Sequence, residues 1–231
     1  MEDIITHTDI MQCSDEWHQL RLGKITGSNF YKLMGSTNAR EKYLYDIANE
    51  IVTGCKSDGD DFSNIHMERG KLYENIARME YVGSKLVEVF VVGLVQRGHY
   101  TTCSPDGLVD EDGIIEIKVP DSNNYFRMIL EIAKNGDKAI SIEHYLQMQY
   151  NLYICGRQWC DYVLYNSKHA QNNAHCFIYR VERDNDLQEK IKATIKNAIQ
   201  TIESHVISYQ SLIDSSFPVL KTESYDQCIL N

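Results

Sequence analysis

The sequence predicts an α/β protein in which helices flank a central mixed β-sheet. Three observations support this class: mainly helical periodicity before position 82, short strand-like runs between positions 86 and 181, and a long amphipathic segment after them. The 231 residues suffice for one domain with a substantial core. We therefore expect a single domain with a helical part (1–82), a sheet core (83–182) and a C-terminal helix with a tail (183–231).

The predicted elements follow the spacing of apolar residues along the chain. Apolar positions three and four residues apart predict helices over Ser14–Leu22, Thr26–Met34, Glu41–Thr53 and Ile65–Tyr81. Runs rich in β-branched and aromatic residues predict strands over Leu86–Val92, Thr101–Val109 and Ile114–Val119. Two helices follow, over Asn123–Lys134 and Ile142–Ile154. The last elements are strands over Trp159–Tyr165 and His175–Val181 and a helix over Asp184–Tyr209.

The composition argues against several classes of protein. No apolar run approaches the roughly 20 residues that span a bilayer, and the acidic N-terminus predicts no export signal. A formal charge of −10 has the opposite sign to that expected of a protein that coats nucleic acid. An enzyme of this charge can still gather its basic groups in one groove. The cysteines form no CxxC pair, so we expect reduced thiols and no zinc or iron–sulfur site. They are Cys13, Cys55, Cys103, Cys155, Cys160, Cys176 and Cys228.

The stretch CSPDGLVDEDGIIEIKVP (103–120) contains the most informative charged residues. Side chains alternate along a strand, so Glu116 and Lys118 point to the same face of the predicted strand. A three-residue loop that ends with Gly113 in the left-handed conformation would pair Asp106 with Lys118 and place all three charges on that face. A two-residue loop would put Asp106 on the opposite face. The charged cluster is therefore a prediction that depends on the length of the loop.

The chemistry of this cluster suits a divalent cation. Two carboxylates at close range repel each other unless a cation lies between them. Oxygen ligands from Asp106 and Glu116 suit magnesium, with manganese as a substitute, rather than zinc. Lys118 can orient or help deprotonate an attacking water, or offset charge on a scissile phosphate. These groups predict phosphodiester hydrolysis, and the alternative is a solvated hairpin that carries the same charges by chance.

Two predicted helices add further polar side chains. Glu74 lies one turn after Gly70 in MERGKLYENIARMEY. It either adds a third carboxylate to the cluster or lies on a solvated face. Gln147 and Gln149 interrupt the apolar stretch HYLQMQYNLYICG. We expect the amide of Gln149 to point to the site and hold water or a phosphate oxygen, whereas Gln147 either joins it or faces solvent.

The stretch EWHQLRLGKITGSNF predicts an anion site. Arg21, Lys24, Thr26 and Ser28 surround the predicted start of a helix, where free backbone amides, a hydroxyl and a guanidinium suit a phosphate. The alternative is that Thr26 caps the helix and Arg21 is a surface residue.

In combination, these motifs resemble one family. The segments WHQLRLGKITGS, GKLYENIAR, CSPDGL, EIK and QMQY occur in the order seen in lambda-exonuclease-like viral alkaline nucleases, members of the PD-(D/E)xK nuclease superfamily. The resemblance extends from about Trp17 to Tyr165, and residues 37–66 match poorly. It implies a restriction-endonuclease-like core and a magnesium-dependent exonuclease. Such an enzyme degrades one strand of linear double-stranded DNA from a 5′ end and leaves 3′ overhangs for phage-type recombination.

The resemblance implies roles for individual residues at the metal. Asp106 and Glu116 would be metal ligands in a site that holds two ions. Ile117 would add its backbone carbonyl, Glu74 would be an outer carboxylate, and Lys118 would assist catalysis.

The resemblance also implies contacts to the substrate and partners. Gln149 would be a second catalytic helper. Arg21, Ser28, Ser104 and Gln147 would contact DNA phosphates, with Arg21 at the 5′-terminal phosphate. Members of the family form a trimeric ring threaded by DNA and work beside a single-strand annealing protein. The implied location is the cytoplasm of a bacterial host, with a phage or prophage as the source.

Two other functions stay open from the sequence. A metal-dependent endonuclease of the restriction or repair type would use the same core but cleave circular DNA. A DNA-binding or assembly subunit with a dead site would bind no metal, although the presence of Asp106, Glu116 and Lys118 argues against it.

Overall fold

The structure, a computed structural model of the chain, describes residues 3–56 and 65–216, except for the side chains of residues 65–71, 172 and 216. Its strands are β1 (Ile4–His7), β2 (Ile25–Thr26), β3 (Val89–Phe90), β4 (Leu94–Arg97), β5 (Thr101–Cys103), β6 (Gly107–Val109), β7 (Gly113–Lys118), β8 (Trp159–Tyr165) and β9 (Cys176–Glu182). Its α-helices are α1 (Asp15–Arg21), α2 (Phe30–Met34), α3 (Thr37–Thr53), α4 (Ile65–Lys85), α5 (Ser122–Asn135), α6 (Ile142–Cys155) and α7 (Asn185–Ser216). Short 3-10 helices cover Gly27–Asn29, Gly136–Ala139 and Ser167–Asn172.

The strands form two mixed sheets. The five-stranded sheet has the order β3-β6-β7-β8-β9, in which only β7 and β8 are parallel. The four-stranded sheet has the order β1-β4-β5-β2, in which only β2 and β5 are parallel. Helices α5 and α6 provide the long connection that the parallel pair β7 and β8 requires. The α/β class is therefore confirmed.

The sequence analysis predicts one sheet, and the second sheet arises where one predicted strand is divided. The run Thr101–Val109 becomes β5 in one sheet and β6 in the other. Pro105 lies between them and has no N–H to donate to a ladder, so the chain leaves the first sheet there. Helix α4 also continues to Lys85, which leaves only β3 of the strand expected over Leu86–Val92. As a result, Asp106 lies where the two sheets meet.

The β6–β7 hairpin has a three-residue loop, but its register differs from the predicted one. Gly113 already belongs to β7, so the loop is Asp110–Asp112. The left-handed residue is Asp110, with φ 43°, and the prediction of a left-handed Gly113 is wrong. Gly113 has a different role, because a Cβ atom there would lie 2.1 Å from the ring of Trp159. The register shifts by two residues, which leaves Asp106 on the predicted face.

Helices cover both faces of the five-stranded sheet. Ile115 and Ile117 of β7 pack with Tyr81 of α4 on one face. Glu116 and Lys118 alternate with these isoleucines and therefore point to the opposite face. Helix α6 covers that face and also packs against β4 and β5. The same helix thus contacts both sheets beside the charged residues of β7.

Two further findings concern the described residues. All the cysteines of this part are free thiols, whereas Cys228 lies outside the described residues. None of the helices described has the length and apolar character needed to cross a membrane.

Candidate active site

Asp106, Glu116 and Lys118 converge where the two sheets meet. The Nζ atom of Lys118 lies 2.7 Å from Oε1 of Glu116, and Glu116 is only 2% exposed. The Oδ2 atom of Asp106 accepts a hydrogen bond of 2.5 Å from the backbone amide of Ile117. The burial of Glu116 is incompatible with a hairpin whose charges are all solvated.

The cluster carries more negative than positive charge. Burial raises the pKa of Asp106 well above its ordinary value, and the carboxylates of Glu116 and Glu74 raise it further. Burial works to lower the pKa of Lys118, but Glu116 and Asp106 outweigh it, and that pKa is raised. Lys118 is therefore a cation that only partly compensates the carboxylates. A divalent cation would neutralise the remaining charge.

Glu74 approaches Asp106 from α4 together with an arginine that the sequence analysis missed. The Nη2 atom of Arg78 lies 2.5 Å from Oε1 of Glu74, and its Nε donates to the carbonyl of Asp106 at 2.8 Å. The side chain of Glu74 is 31% exposed, so it lies at the rim of the cluster. Arg78 lies one helical turn after Glu74, and this spacing was a signal that the two side chains would meet.

Helix α6 presents Gln147 and Asn151 to the cluster. The Oε1 atom of Gln147 lies 3.3 Å from Nζ of Lys118. The Nδ2 atom of Asn151 lies 3.3 Å from Oε2 of Glu116. Residues four apart share one face of a helix. The spacing from Gln147 therefore pointed to Asn151, which the sequence analysis missed.

His144 lies on the same face of α6, one turn before Gln147. Its Nδ1 atom is 2.7 Å from the hydroxyl of Tyr162. Burial, assisted by the charge of Lys118, lowers the pKa of His144 to about 4. The imidazole is therefore neutral near pH 7 and adds no positive charge to the cluster.

Gln149 points away from the cluster, and the prediction that it faces the site is wrong. Its Nε2 donates to the carbonyl of Glu182 at 2.7 Å. Its Oε1 accepts from the amide of Asp184 at 3.1 Å and from Nε2 of Gln188 at 3.0 Å. Two steps along a helix rotate a side chain by about 200°, so Gln147 and Gln149 cannot face the same side. Gln149 instead joins α6 to the start of α7.

A pocket of about 350 Å³ lies around the turn that follows β2. Arg21, Lys24, Ser28 and Lys32 are among its lining residues, and Lys32 was not predicted. The guanidinium of Arg21 stacks 4.0 Å above the ring of Trp17. Burial lowers the pKa of Arg21, and among the described side chains no carboxylate forms an ion pair with it, although Asp46 and Glu50 also line the pocket. A half-buried guanidinium in this situation suits an anionic ligand.

Ser104 lies behind this pocket rather than in its lining. The Nε1 atom of Trp17 donates to Oγ of Ser104 at 2.8 Å and to the carbonyl of Gly93 at 3.0 Å. Trp17 thus connects the pocket to the junction of the sheets. The alternative of a capping Thr26 is not observed, because its side chain makes no cap hydrogen bond to the 3-10 helix that follows.

The cluster fits a magnesium ion. Magnesium needs only one or two protein carboxylates and keeps several waters, and Asp106 and Glu116 can supply these carboxylates. The carbonyl of Ile117 lies on the same edge of β7 as its amide, which contacts Asp106. Within the described residues, no group of three or more His, Cys, Asp and Glu side chains is placed to hold a metal. The proposed ligands Asp106, Glu116 and the carbonyl of Ile117 are all oxygen donors, whereas structural zinc centres use mainly Cys and His.

Comparisons with known proteins identify the family to which the chain belongs. A profile of the YqaJ-like viral recombinase domain matches residues 16–158, more than half of the chain. The alkaline exonuclease LHK-Exo from Laribacter hongkongensis is 29% identical, with a TM-score of 0.77, and the match covers 88% of this chain and 100% of that one. The structure of LHK-Exo in complex with dAMP matches at 30% identity and a TM-score of 0.75, over 88% and 98% of the two chains.

A phage related exonuclease from Haemophilus somnus 129PT has the same fold, with 16% identity, a TM-score of 0.64 and coverage of 81% and 96%. A comparison with curated proteins gives no match. The resemblance to lambda-exonuclease-like alkaline nucleases is confirmed by the domain match and by the similarity to LHK-Exo. The chain belongs to the YqaJ-like viral recombinase domain family.

Proposed function

We propose that this protein is a Mg²⁺-dependent 5′→3′ exonuclease that degrades one strand of linear double-stranded DNA and leaves 3′ overhangs for recombination. It acts in the bacterial cytoplasm beside a single-strand annealing protein. The observation that carries the proposal is the cluster of Asp106 and Lys118 around the buried carboxylate of Glu116, at the junction of the sheets. The similarity to the alkaline exonuclease LHK-Exo supports it.

Each residue of the cluster has a task in this reaction. Asp106, Glu116 and the carbonyl of Ile117 hold magnesium, which when bound supplies electrostatic stabilisation of the charge on the scissile phosphate. The ammonium group of Lys118 lies on the same face and stabilises that charge directly. The side-chain amide oxygen of Gln147 accepts a hydrogen bond of 3.3 Å from Nζ of Lys118 and keeps this ammonium in place.

The pocket after β2, called the basic pocket because Arg21, Lys24, Lys32 and Lys56 outnumber Asp46 and Glu50 in its lining, sets the 5′→3′ direction of the enzyme. In our proposal, Arg21 and Ser28 bind the 5′-terminal phosphate, and Lys24 and Lys32 add positive charge to the same pocket. A strand whose terminal phosphate is held there presents its first phosphodiester to the cluster. The complex of LHK-Exo with dAMP supports a mononucleotide product.

The decisive experiment is digestion of a linear duplex with one 5′-phosphorylated end, with magnesium and with EDTA, beside a closed circle. We expect magnesium-dependent loss of the phosphorylated strand alone and an intact circle. Nicking of the circle would support an endonuclease of the restriction or repair type. No cleavage of either substrate, together with no magnesium binding in calorimetry, would support a subunit with a dead site.

Arg21→Ala is expected to abolish the preference for 5′-phosphorylated ends, because it removes the half-buried guanidinium from the pocket. Initial rates on 5′-phosphate and 5′-hydroxyl duplexes measure this preference. Magnesium binding should stay unchanged, since Arg21 does not contact the cluster in the described structure. An unchanged ratio of the two rates would remove Arg21 from its proposed role.

We propose further that three copies form a ring around the DNA, so that only the channel has to be basic in a protein of net charge −10. Leu72, Ile76 and Met79 share one face of α4 and are exposed, which supports self-association through an apolar surface. Light scattering at micromolar concentration is expected to give the mass of a trimer. A clean monomer would contradict the ring.

A further inference from the structure

Asn151 lies between the two parts of the proposed site. It is 1% exposed, and its Nδ2 contacts Oε2 of Glu116 at 3.3 Å. On the other side, its Oδ1 lies against Gly27, where a Cβ atom would approach it to 2.3 Å. Gly27 begins the turn that carries Ser28 into the basic pocket. One short side chain thus contacts both the carboxylate of the cluster and the turn that carries Ser28, a lining residue of the pocket.

The orientation of this amide is fixed by chemistry. A carboxylate accepts hydrogen bonds only, so the amide must direct its nitrogen to Glu116 and its oxygen to Gly27. That oxygen is buried and has no hydrogen-bond partner among the described residues. Buried polar atoms are normally paired. A C–H group of Gly27 offers at most a weak contact, so the arrangement is not explained by the hydrogen bonding of Asn151 alone.

The two oxygens of Glu116 have separate donors. Lys118 binds Oε1 at 2.7 Å, and Asn151 approaches Oε2. A bound metal would compete with Lys118 for the Glu116 carboxylate, and a phosphate would compete with Glu116 for Lys118, whereas Asn151 contacts neither metal nor phosphate in our scheme. Asn151 is therefore the donor that can keep the orientation of the Glu116 carboxylate through the reaction.

Contact with Gly27 limits the movement of this amide. The adjacent residue of α6, Tyr150, donates its hydroxyl to the carbonyl of Ile25 at 2.8 Å and stacks on Phe30 with ring centroids 4.6 Å apart. These contacts hold α6 against both ends of the turn. A turn that is fixed in this way blocks rotation of the Asn151 amide away from Glu116.

We propose that Asn151 is a positioning residue that orients the carboxylate of Glu116 and couples it to the Gly27–Ser28 turn. A 5′-terminal phosphate bound at Ser28 then acts on the metal site through the contact between Gly27 and the Asn151 amide. The inference rests on the proposed function, which supplies the phosphate and the metal. It adds a physical connection by which binding of the correct strand end promotes cleavage.

The test compares Asn151→Ala with a matched control, Gln188→Ala. Gln188 is 4% exposed and also has a buried unpaired amide oxygen, but it contacts Gln149 rather than the cluster. Asn151→Ala should weaken magnesium binding to the DNA-free protein by about tenfold in calorimetry, as loss of a group that orients a ligand does. It should also lower the ratio of rates on 5′-phosphate and 5′-hydroxyl ends towards one. Gln188→Ala should lower the melting temperature but leave the magnesium affinity and the ratio of the two rates unchanged.

A double-mutant cycle tests the coupling itself. Gly27→Ala introduces a methyl group against the Asn151 oxygen, and it should weaken magnesium binding and reduce the rate ratio. In the Asn151→Ala background, Gly27→Ala should have no further effect on magnesium binding. Equal effects of Gly27→Ala in both backgrounds would refute the coupling. Asn151→Leu keeps the branched shape of the side chain without a donor and replaces Asn151→Ala if that variant does not fold.

The outcomes separate this inference from the proposed function. A wild-type protein that prefers phosphorylated ends, with a folded Asn151→Ala variant that keeps both its magnesium affinity and its rate ratio, would overturn only the role of Asn151. A wild-type protein without a preference for phosphorylated ends would overturn the coupling together with the proposed polarity. Magnesium calorimetry would still show whether Asn151 orients Glu116.

Discussion

Lys118→Ala is expected to reduce the rate of DNA cleavage by about a thousandfold, the loss typical when a fixed group that stabilises transition-state charge is removed. Nζ of Lys118 lies 2.7 Å from a buried carboxylate, and the carboxylates around it raise its pKa. The side chain is therefore an ammonium group, which favours stabilisation of charge over removal of a proton from water. Because alanine leaves both carboxylates in place, magnesium binding should persist.

Single-turnover cleavage of bound DNA measures this effect separately from substrate binding. Magnesium calorimetry and a DNA-binding assay in EDTA should both give values near those of the wild type. Lys134→Ala is a suitable control, because Lys134 is an exposed lysine near the end of α5, outside the cluster and the pocket. A Lys118→Ala variant that cleaves within about tenfold of the wild-type rate would exclude Lys118 from stabilising the transition state.

The position of Lys118 was predictable because strand periodicity tolerates an error in register. The sequence analysis paired Asp106 with Lys118, whereas the structure shifts the hairpin by two residues. A shift of two leaves every side chain on its original face, and a shift of one would have separated Asp106 from the cluster. The predicted three-residue loop was therefore sufficient to place Asp106 on the face of Glu116 and Lys118. The predicted conformation of Gly113 was wrong but did not affect this placement.

Helix periodicity separates Gln147 from Gln149. The polar interruptions of the apolar stretch direct Gln149 to the site and leave Gln147 open, and only the family resemblance gives Gln147 a phosphate contact. A rotation of about 100° per residue separates these two side chains by about 200°. The same rotation places Asn151 beside Gln147, although its contact with Gly27 depends on tertiary packing that no local pattern encodes.

The second sheet could not be predicted from local patterns either. Strands β1, β2 and β4 are short, and β1 is largely exposed, so none of them produces a distinct apolar run. Proline at position 105 was visible in the sequence, and it is the feature that divides β5 from β6. A proline within a predicted strand was thus evidence for a boundary next to Asp106.

A hydrogen-bond network outside the candidate active site connects helix α4 to the five-stranded sheet. Asp161 of β8 is fully buried and accepts hydrogen bonds from Nε and Nη2 of Arg180 at 2.8 and 2.9 Å. It also accepts a bond of 2.7 Å from the hydroxyl of Tyr81 in α4. Burial, and then the hydrogen bond to Asp161, raises the pKa of Tyr81, so its hydroxyl stays protonated and remains a donor. The guanidinium of Arg180 also lies 3.5 Å above the ring of Trp159.

Asp161→Asn is expected to lower the free energy of unfolding by about 3 kcal/mol, because it breaks a buried, hydrogen-bonded ion pair. This decrease in the free energy of unfolding is at the lower end of the range for buried ion pairs. The side chain of Arg180 is 44% exposed, so water can hydrate the guanidinium once the carboxylate is gone. For a chain of this length, the melting temperature should fall by roughly 8 °C. Thermal unfolding without magnesium measures the change without a contribution from metal binding.

Glu80→Gln provides the control for this comparison on the same helix. Glu80 pairs with His175 at 3.3 Å, but its side chain is 46% exposed, so the loss should be below about 1 kcal/mol. A similar loss for both variants would mean that α4 is attached mainly by its apolar contacts with Ile115 and Ile117. A large loss for Asp161→Asn alone would show that the buried carboxylate attaches α4, which carries Glu74, to the strand that pairs with β7.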